Sequence, residues 1–184
     1  ARAGGPRIAG CVVDRDSDAP APAGLPVHRW AEVADRAADY VGINGIGSPA
    51  RRGFIETAEA RGFEFLTLVD PSAQIFPSAR IGAGTVIGAG AIVAAAARVG
   101  RHVFINRAVS IGHHSEIGDF ASCYAGVHIG AFTRLGESAE IGIGAVVIDR
   151  IRVGERALVG AGAVVIRDCA AGARVVGVPA RPMA

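Results

Sequence analysis

The sequence contains no lysine, and its 19 basic residues are all arginine. It has one Met, one Trp and two Tyr, and aromatics make up only 5%. With so few large rings, small and β-branched aliphatic residues must fill the interior, which favours a thin, regular architecture. Three Cys without close spacing give neither a disulfide framework nor a zinc site, and a reducing, cytoplasmic setting is the default. The longest apolar stretch, residues 89–97, is too short and too rich in Ala to span a bilayer. No charged start followed by an apolar core reads as a signal peptide. A net charge of +2 with interspersed acids carries no nucleic-acid footprint. A hydrophobic content of 51% excludes disorder, and 26 Gly are too few for collagen.

What is present is a repeat of six. Ile75, Ile81, Ile87, Val93, Val99, Ile105, Ile111, Ile117, Cys123, Ile129, Leu135, Ile141, Val147, Val153, Val159 and Val165 stand at every sixth position without a slip. All are aliphatic except Cys123. A mostly small residue sits two places earlier, as at Ala79, Thr85, Ala91 and Ala97, and the following residue is often Gly, as at Gly82 and Gly118. A period of six is neither a helix nor a flat strand. It fits a coil of short strands joined by tight turns, with the aliphatic and the small residue two places before it facing inward. The Gly is expected to take positive φ at the turn. Three hexads would make one coil, so residues 18 apart would stack about 4.8 Å from one another. Roughly five coils would span residues 75 to 170, and the segment after Ala170 would leave as a tail.

The leading third alternates differently. Arg7 to Asp14 reads as a strand, followed by a loop with Pro20, Pro22 and Pro26. Trp30 to Ala38 has helical spacing. Asp39 to Gly47 reads as a strand running into a Gly turn. Ser48-Pro49 opens a helix carried by Arg51 to Arg61, and Phe63 to Val69 is a third strand. Strands alternating with helices predict a small parallel α/β unit.

Several stretches resemble the bacterial sugar N-acyltransferases of the hexapeptide-repeat family, the sialic-acid-pathway and UDP-4-amino-sugar type. They are Val13-Asp14-Arg15-Asp16, Gly45-Ile46-Gly47-Ser48-Pro49-Ala50-Arg51, Asp70-Pro71-Ser72-Ala73, Ile105-Asn106, Ile111-Gly112-His113, Ile117-Gly118-Asp119-Phe120 and Gly177-Val178-Pro179-Ala180-Arg181. The resemblance implies a Rossmann-like acceptor-binding domain over residues 1–72. A left-handed parallel β-helix would follow over 73–170, then a tail over 171–184. Family members usually open with a strand and a Gly-x-Gly-Gly-His turn; this sequence starts after that point, so the first domain is expected to lack them.

The resemblance also implies chemistry. His113 matches the general base, since an unprotonated imidazole can take the proton of an attacking amine. The family usually places Asp or Glu next; here it is His114, and an orienting group could instead be Glu116, Asp119 or a backbone carbonyl. Ala131, one coil after His113, matches the backbone N–H donor for the oxyanion. Acceptor contacts are expected at Asp14, Gly47, Asn106 and His114, although Asn106 could simply be a turn residue tolerant of positive φ. Acetyl-CoA, or another acyl-CoA, is the expected co-substrate. It would meet Ser122, Ala131, Gly160, Ala161, Gly177 and Arg181 in a groove between subunits of a homotrimer. Ser122 lies half a coil from His113 and would reach it only across a subunit boundary. No metal is expected: His113 and His114, if extended, point to opposite sides, and His102, His113 and His128 make no recognised set.

The leading expectation is transfer of an acyl group from coenzyme A to an amine of a sugar or nucleotide-sugar. An acyltransferase for a specialised-metabolite or carrier-bound substrate, and a non-catalytic β-helix scaffold, are the alternatives. Neither nucleic acid nor a membrane is expected as a partner.

Overall fold

The computed structural model describes residues 7–13 and 24–183. From Leu68 onward the chain winds as a parallel β-helix with three flat faces. The first face carries Leu68–Val69, Val86–Ile87, Phe104–Ile105, Ser122–Cys123, Glu140–Ile141, Leu158–Val159 and Arg174–Val176. The second carries Gln74–Ile75, Ile92–Val93, Ser110–Ile111, His128–Ile129, Val146–Val147 and Val164–Val165. The third carries Arg80–Ile81, Arg98–Val99, Glu116–Ile117, Arg134–Leu135 and Arg152–Val153. Register follows the hexads: Ile111 stands beside Val93 on one side and Ile129 on the other.

The interior is what the repeat requires. Ile105, Ile111, Ile141 and Val93 are fully buried, as are the residues two places before the aliphatics, from Ala91 and Ala97 to Ala163. Where that small residue is a hydroxyl, the neighbouring coil satisfies it. Thr85 Oγ1 donates to the Gly100 carbonyl at 2.8 Å and accepts from Val103 N at 3.1 Å. Ser115 does the same with Gly130 and Thr133. Buried hydroxyls with partners carry little penalty, whereas orphaned ones would.

The Gly after each aliphatic has a different cause from the one expected. Gly82, Gly112, Gly118 and Gly142 are not in the positive-φ region. A β-carbon on Gly112 would lie 2.5 Å from Ala131 N on the next coil. These glycines therefore permit close approach of coils. Positive φ falls two residues later, where Gly84 and Gly90 sit, but also at Ala96, His102, Ala108, His114, Phe120, Phe132, Ser138, Arg150 and Arg156, at 53–63°. Asn106 is likewise outside the positive-φ region; Ala108 takes that position in its turn.

The end of the helix also departs from expectation. Instead of leaving after Ala170, the chain adds Arg174–Val176 as a further rung beside Leu158–Val159. Arg181–Pro182 then turns back antiparallel against it.

Two compact units are distinguished: residues 1–41 with 54–64, and residues 42–53 with 65–184. In the first, Cys11–Val13 pairs in parallel with Val27–Arg29, and Pro20 and Pro22 of the expected loop lie outside the described residues. Trp30 packs edge-on against Phe54 (5.1 Å between centroids) and tilted against Phe63 (5.4 Å). Val33, Ala34, Ile55 and Ala58 are buried. The helix expected over Trp30 to Ala38 is one turn, Trp30–Val33. In the second unit, Gly42 makes a single bridge to Phe65 where two longer strands were expected. Leu68–Val69, read as the end of the third strand, is the first rung of the β-helix. A two-residue rung and a strand end look alike in sequence, so only pairing separates them.

Candidate functional site

The turn at 112–115 joins the second face to the third and carries His113 and His114, both exposed. His114 has φ 59°, so the two side chains do not alternate as in an extended chain. Their Nδ1 atoms lie 3.0 Å apart, correcting the expectation that they face opposite sides. The His114 ring stacks on Phe132 at 4.9 Å and 18°, and His113 meets Phe132 edge-on at 5.1 Å. The Arg150 guanidinium carbon lies 5.1 Å over the Phe132 ring. His114, Phe132 and Arg150 occupy the positive-φ position of successive coils, which is why they form a column.

Ala131 lies on the same corner, one coil beyond His113; the Phe132 N–H donates to the His113 carbonyl at 3.0 Å. Its own N–H already donates to Asp149 Oδ1 at 2.7 Å. The expected oxyanion donor thus has a carboxylate as its resident acceptor.

Ser122 corrects another expectation. Expected to meet the acyl-CoA, it is fully buried. It donates to the Gly47 carbonyl at 2.7 Å and accepts from Arg51 Nη1 at 2.8 Å. Burial and these partners leave its hydroxyl no free face. Gly47 is fixed by the same cluster, its carbonyl also accepting from Arg51 at 3.3 Å. Ser48 accepts from Ala50 N and opens the turn Pro49–Arg51 that leads into the helix Arg52–Ala60.

Arg51 is the residue that sequence reasoning passed over. It is 1% exposed and donates to the carbonyls of His102 (2.6 Å), Phe120 (2.9 Å) and Ala121 (3.0 Å). Burial pushes its guanidinium down to about 10, against the field of Tyr124 and Glu140. Only its place in the Gly45–Arg51 stretch hinted at a role. Tyr124 donates to Glu140 Oε2 at 3.0 Å, and burial holds its phenol above the ordinary value.

Of the remaining expected contacts, Asn106 is half-buried with Oδ1 accepting from Arg107 N at 2.7 Å. Gly160 is half-buried and Ala161 exposed, on the corner between the first and second faces rather than the corner of His113. Gly177, at φ 93°, accepts from Val164 N at 3.0 Å. Arg181 is exposed, donating to its neighbour Ala180's carbonyl. Asp14 lies outside the described residues. His113 and Ala131 are thus brought together, while Asn106, Gly160 and Ala161 share a different corner.

Cys123 is fully buried and its thiol is pushed up to about 12, so it is a small hydrophobe rather than a nucleophile. Among the described residues, no three His, Cys, Asp or Glu side chains are grouped to hold a metal ion. No helix among them is long and apolar enough to cross a membrane.

No protein-family model and no curated protein matches the sequence. Solved structures do. The acetyltransferase domain of PglB from Neisseria gonorrhoeae superposes with a TM-score of 0.84 at 31% identity, over 97% of this chain and 84% of that one. The chain belongs to the hexapeptide-repeat sugar N-acetyltransferases. The same PglB domain in complex with acetyl coenzyme A matches at 32% identity and a TM-score of 0.84, over 94% of this chain and 84% of that one. PerB from Caulobacter crescentus, in complex with CoA and GDP-perosamine, matches at 28% identity and a TM-score of 0.82, covering 88% of this chain and 80% of that one. With these sugar N-acetyltransferases the chain shares the left-handed β-helix.

Proposed function

We propose that this sugar N-acetyltransferase moves an acetyl group from acetyl-CoA to an amine of a nucleotide-linked amino sugar. His113 carries the reading: an exposed imidazole on a β-helix corner, in a chain similar to PglB and PerB domains solved with acetyl coenzyme A and with CoA and GDP-perosamine. The amine nitrogen attacks the thioester carbonyl carbon, His113 takes its proton, the carbon–sulfur bond breaks, and the proton passes to the departing thiolate. The products are the amide and free coenzyme A.

Ala131 N–H is the oxyanion donor in this reading, once Asp149 releases it. Gly47 and Asn106 face the acceptor side, with Asp14 as a further acceptor contact. Gly160, Ala161, Gly177 and Arg181 contact the coenzyme A arm. These groups sit on a different corner from His113, so the site closes between copies in a homotrimer. The outward residues Ile92, Val146 and Val164 of the second face support that packing, since they give it an aliphatic surface. The leading unit acts as a Rossmann-like acceptor domain; the parallel pair Cys11–Val13 and Val27–Arg29 supports this. The three unpaired cysteines suit a reducing, cytoplasmic setting.

Release of free thiol from acetyl-CoA in the presence of an amino-sugar nucleotide tests the activity. His113→Ala is expected to lower turnover by at least about a hundredfold. An unchanged rate would remove His113 from the mechanism.

A further inference from the structure

The turn that carries His113 also holds an imidazole at a position the fold does not need it to occupy. Equivalent turns place Gly84 or Gly90 there. A β-carbon in this conformation costs roughly 1–2 kcal/mol, yet His114 sits at φ 59° with its ring seated on Phe132. The consequence is the 3.0 Å approach of the two Nδ1 atoms.

Two Nδ1 atoms at that distance share one proton: one nitrogen must be N–H and the other a lone pair. If His114 donates, the His113 proton sits on Nε2 and its only lone pair is blocked, so His113 cannot act as a base. If His113 donates, Nε2 is free. Once Nε2 has taken a proton, His113 carries N–H on both nitrogens, and His114 must be the acceptor. The hydrogen bond then becomes charge-assisted and strengthens as charge develops.

Few other polar side chains surround the pair. The preceding coil brings Ala95 and Ala96, and the next brings Ala131 and Phe132, none of them titratable. One coil further, the Arg150 guanidinium lies over the Phe132 ring. Asp149 is bound to Ala131 N–H, and Glu116 on the following strand pairs with Arg134 at 3.4 Å. His128 stands beside Ser110 on the preceding strand.

We propose that His114 is a positioning residue: its neutral Nδ1 accepts the Nδ1–H of His113, fixing the tautomer that leaves Nε2 as the base. A neutral imidazole would thereby do the orienting that a carboxylate does in an Asp–His pair. This rests on the reading of His113 as the base, and the experiment below separates the two.

Three variants divide orientation from structure. His114→Phe keeps a ring for Phe132 and removes the acceptor. kcat is expected to fall about tenfold to a hundredfold, with KM for acetyl-CoA and for the acceptor within about twofold. His114→Asn places an amide oxygen at the δ position and is expected to restore kcat to within about threefold of the original enzyme. His114→Asp also restores it, and moves the acid limb of the kcat/KM profile to higher pH, because a carboxylate favours the imidazolium. Nitrogen-15 spectra of histidine-labelled protein without substrate give the tautomer directly. Neutral His113 is expected as Nδ1–H in the original enzyme and mainly as Nε2–H in His114→Phe. Nε2–H in the original enzyme, or full activity of His114→Phe, would overturn the proposal. If no acyl transfer occurs with any acceptor, the proposed function fails, and the tautomer measurement still decides the pairing.

Discussion

At the scale of single residues, positive φ and burial set the sharpest expectations. Ala108 is exposed and holds a φ of 55°. Ala108→Gly is therefore expected to raise stability by about 1 kcal/mol, read as a higher midpoint in urea. The same change at His114 or Phe132 would dismantle the column beside His113. Arg51 is the opposite case. Its fork serves four carbonyls and the Ser122 hydroxyl inside the protein. Arg51→Ala takes the guanidinium from the buried His102 and Phe120 carbonyls and is expected to cost about 3 kcal/mol. Arg51→Lys cannot reproduce the planar fork and should recover only part of that loss. Chemical denaturation of the two variants side by side checks both.

At the scale of the coil, the repeat succeeds because its parts constrain one another. The aliphatic fills the interior, the hydroxyl or Ala two places earlier closes it, and Gly after it lets the next coil approach. Gly112→Val would put side-chain atoms against Ala131 N, where a β-carbon alone already lies at 2.5 Å. Overpacking of this kind costs about 1–3 kcal/mol. Here it would also displace the backbone between His113 and Ala131, so kcat should fall along with stability. The bond from Ala131 N–H to Asp149 is a coil-scale feature as well. If that N–H stabilises the oxyanion, Asp149→Ala removes both its competitor and a nearby negative charge, and turnover should rise severalfold. A fall in kcat would instead make Asp149 a support of the turn.

At the scale of the whole molecule, one chain presents the proposed base on one corner and the proposed coenzyme contacts Gly160 and Ala161 on another. A homotrimer brings such corners together. Val146 projects outward on the second face, between His128 and Val164. Val146→Arg would put a cation into the proposed interface without entering the core. Light scattering is expected to show trimer for the original protein and smaller species for this variant, with activity lost in step. A Val146→Arg protein that stays trimeric and active would remove the second face from the interface.

Most of the β-helix was legible in the sequence because its signal is additive. Sixteen hexads from Ile75 to Val165 state one spacing, and no single position has to be right. The inward faces, the stacking of residues 18 apart and the corner shared by His113 and Ala131 all follow from that spacing. The leading third offered no such redundancy. A short strand pair, one helical turn and a bridge at Gly42 each rest on a few residues. The site divides the same way. Chemistry-bearing residues could be located by register, but register does not say which polar groups are already engaged. Only the folded chain could put Ser122 beneath Arg51, give Ala131 N–H to Asp149, and turn His114 through a left-handed conformation until its Nδ1 met that of His113. Hydrogen bonds are settled by distance in space, and the repeat fixes that distance for the backbone before it fixes it for side chains.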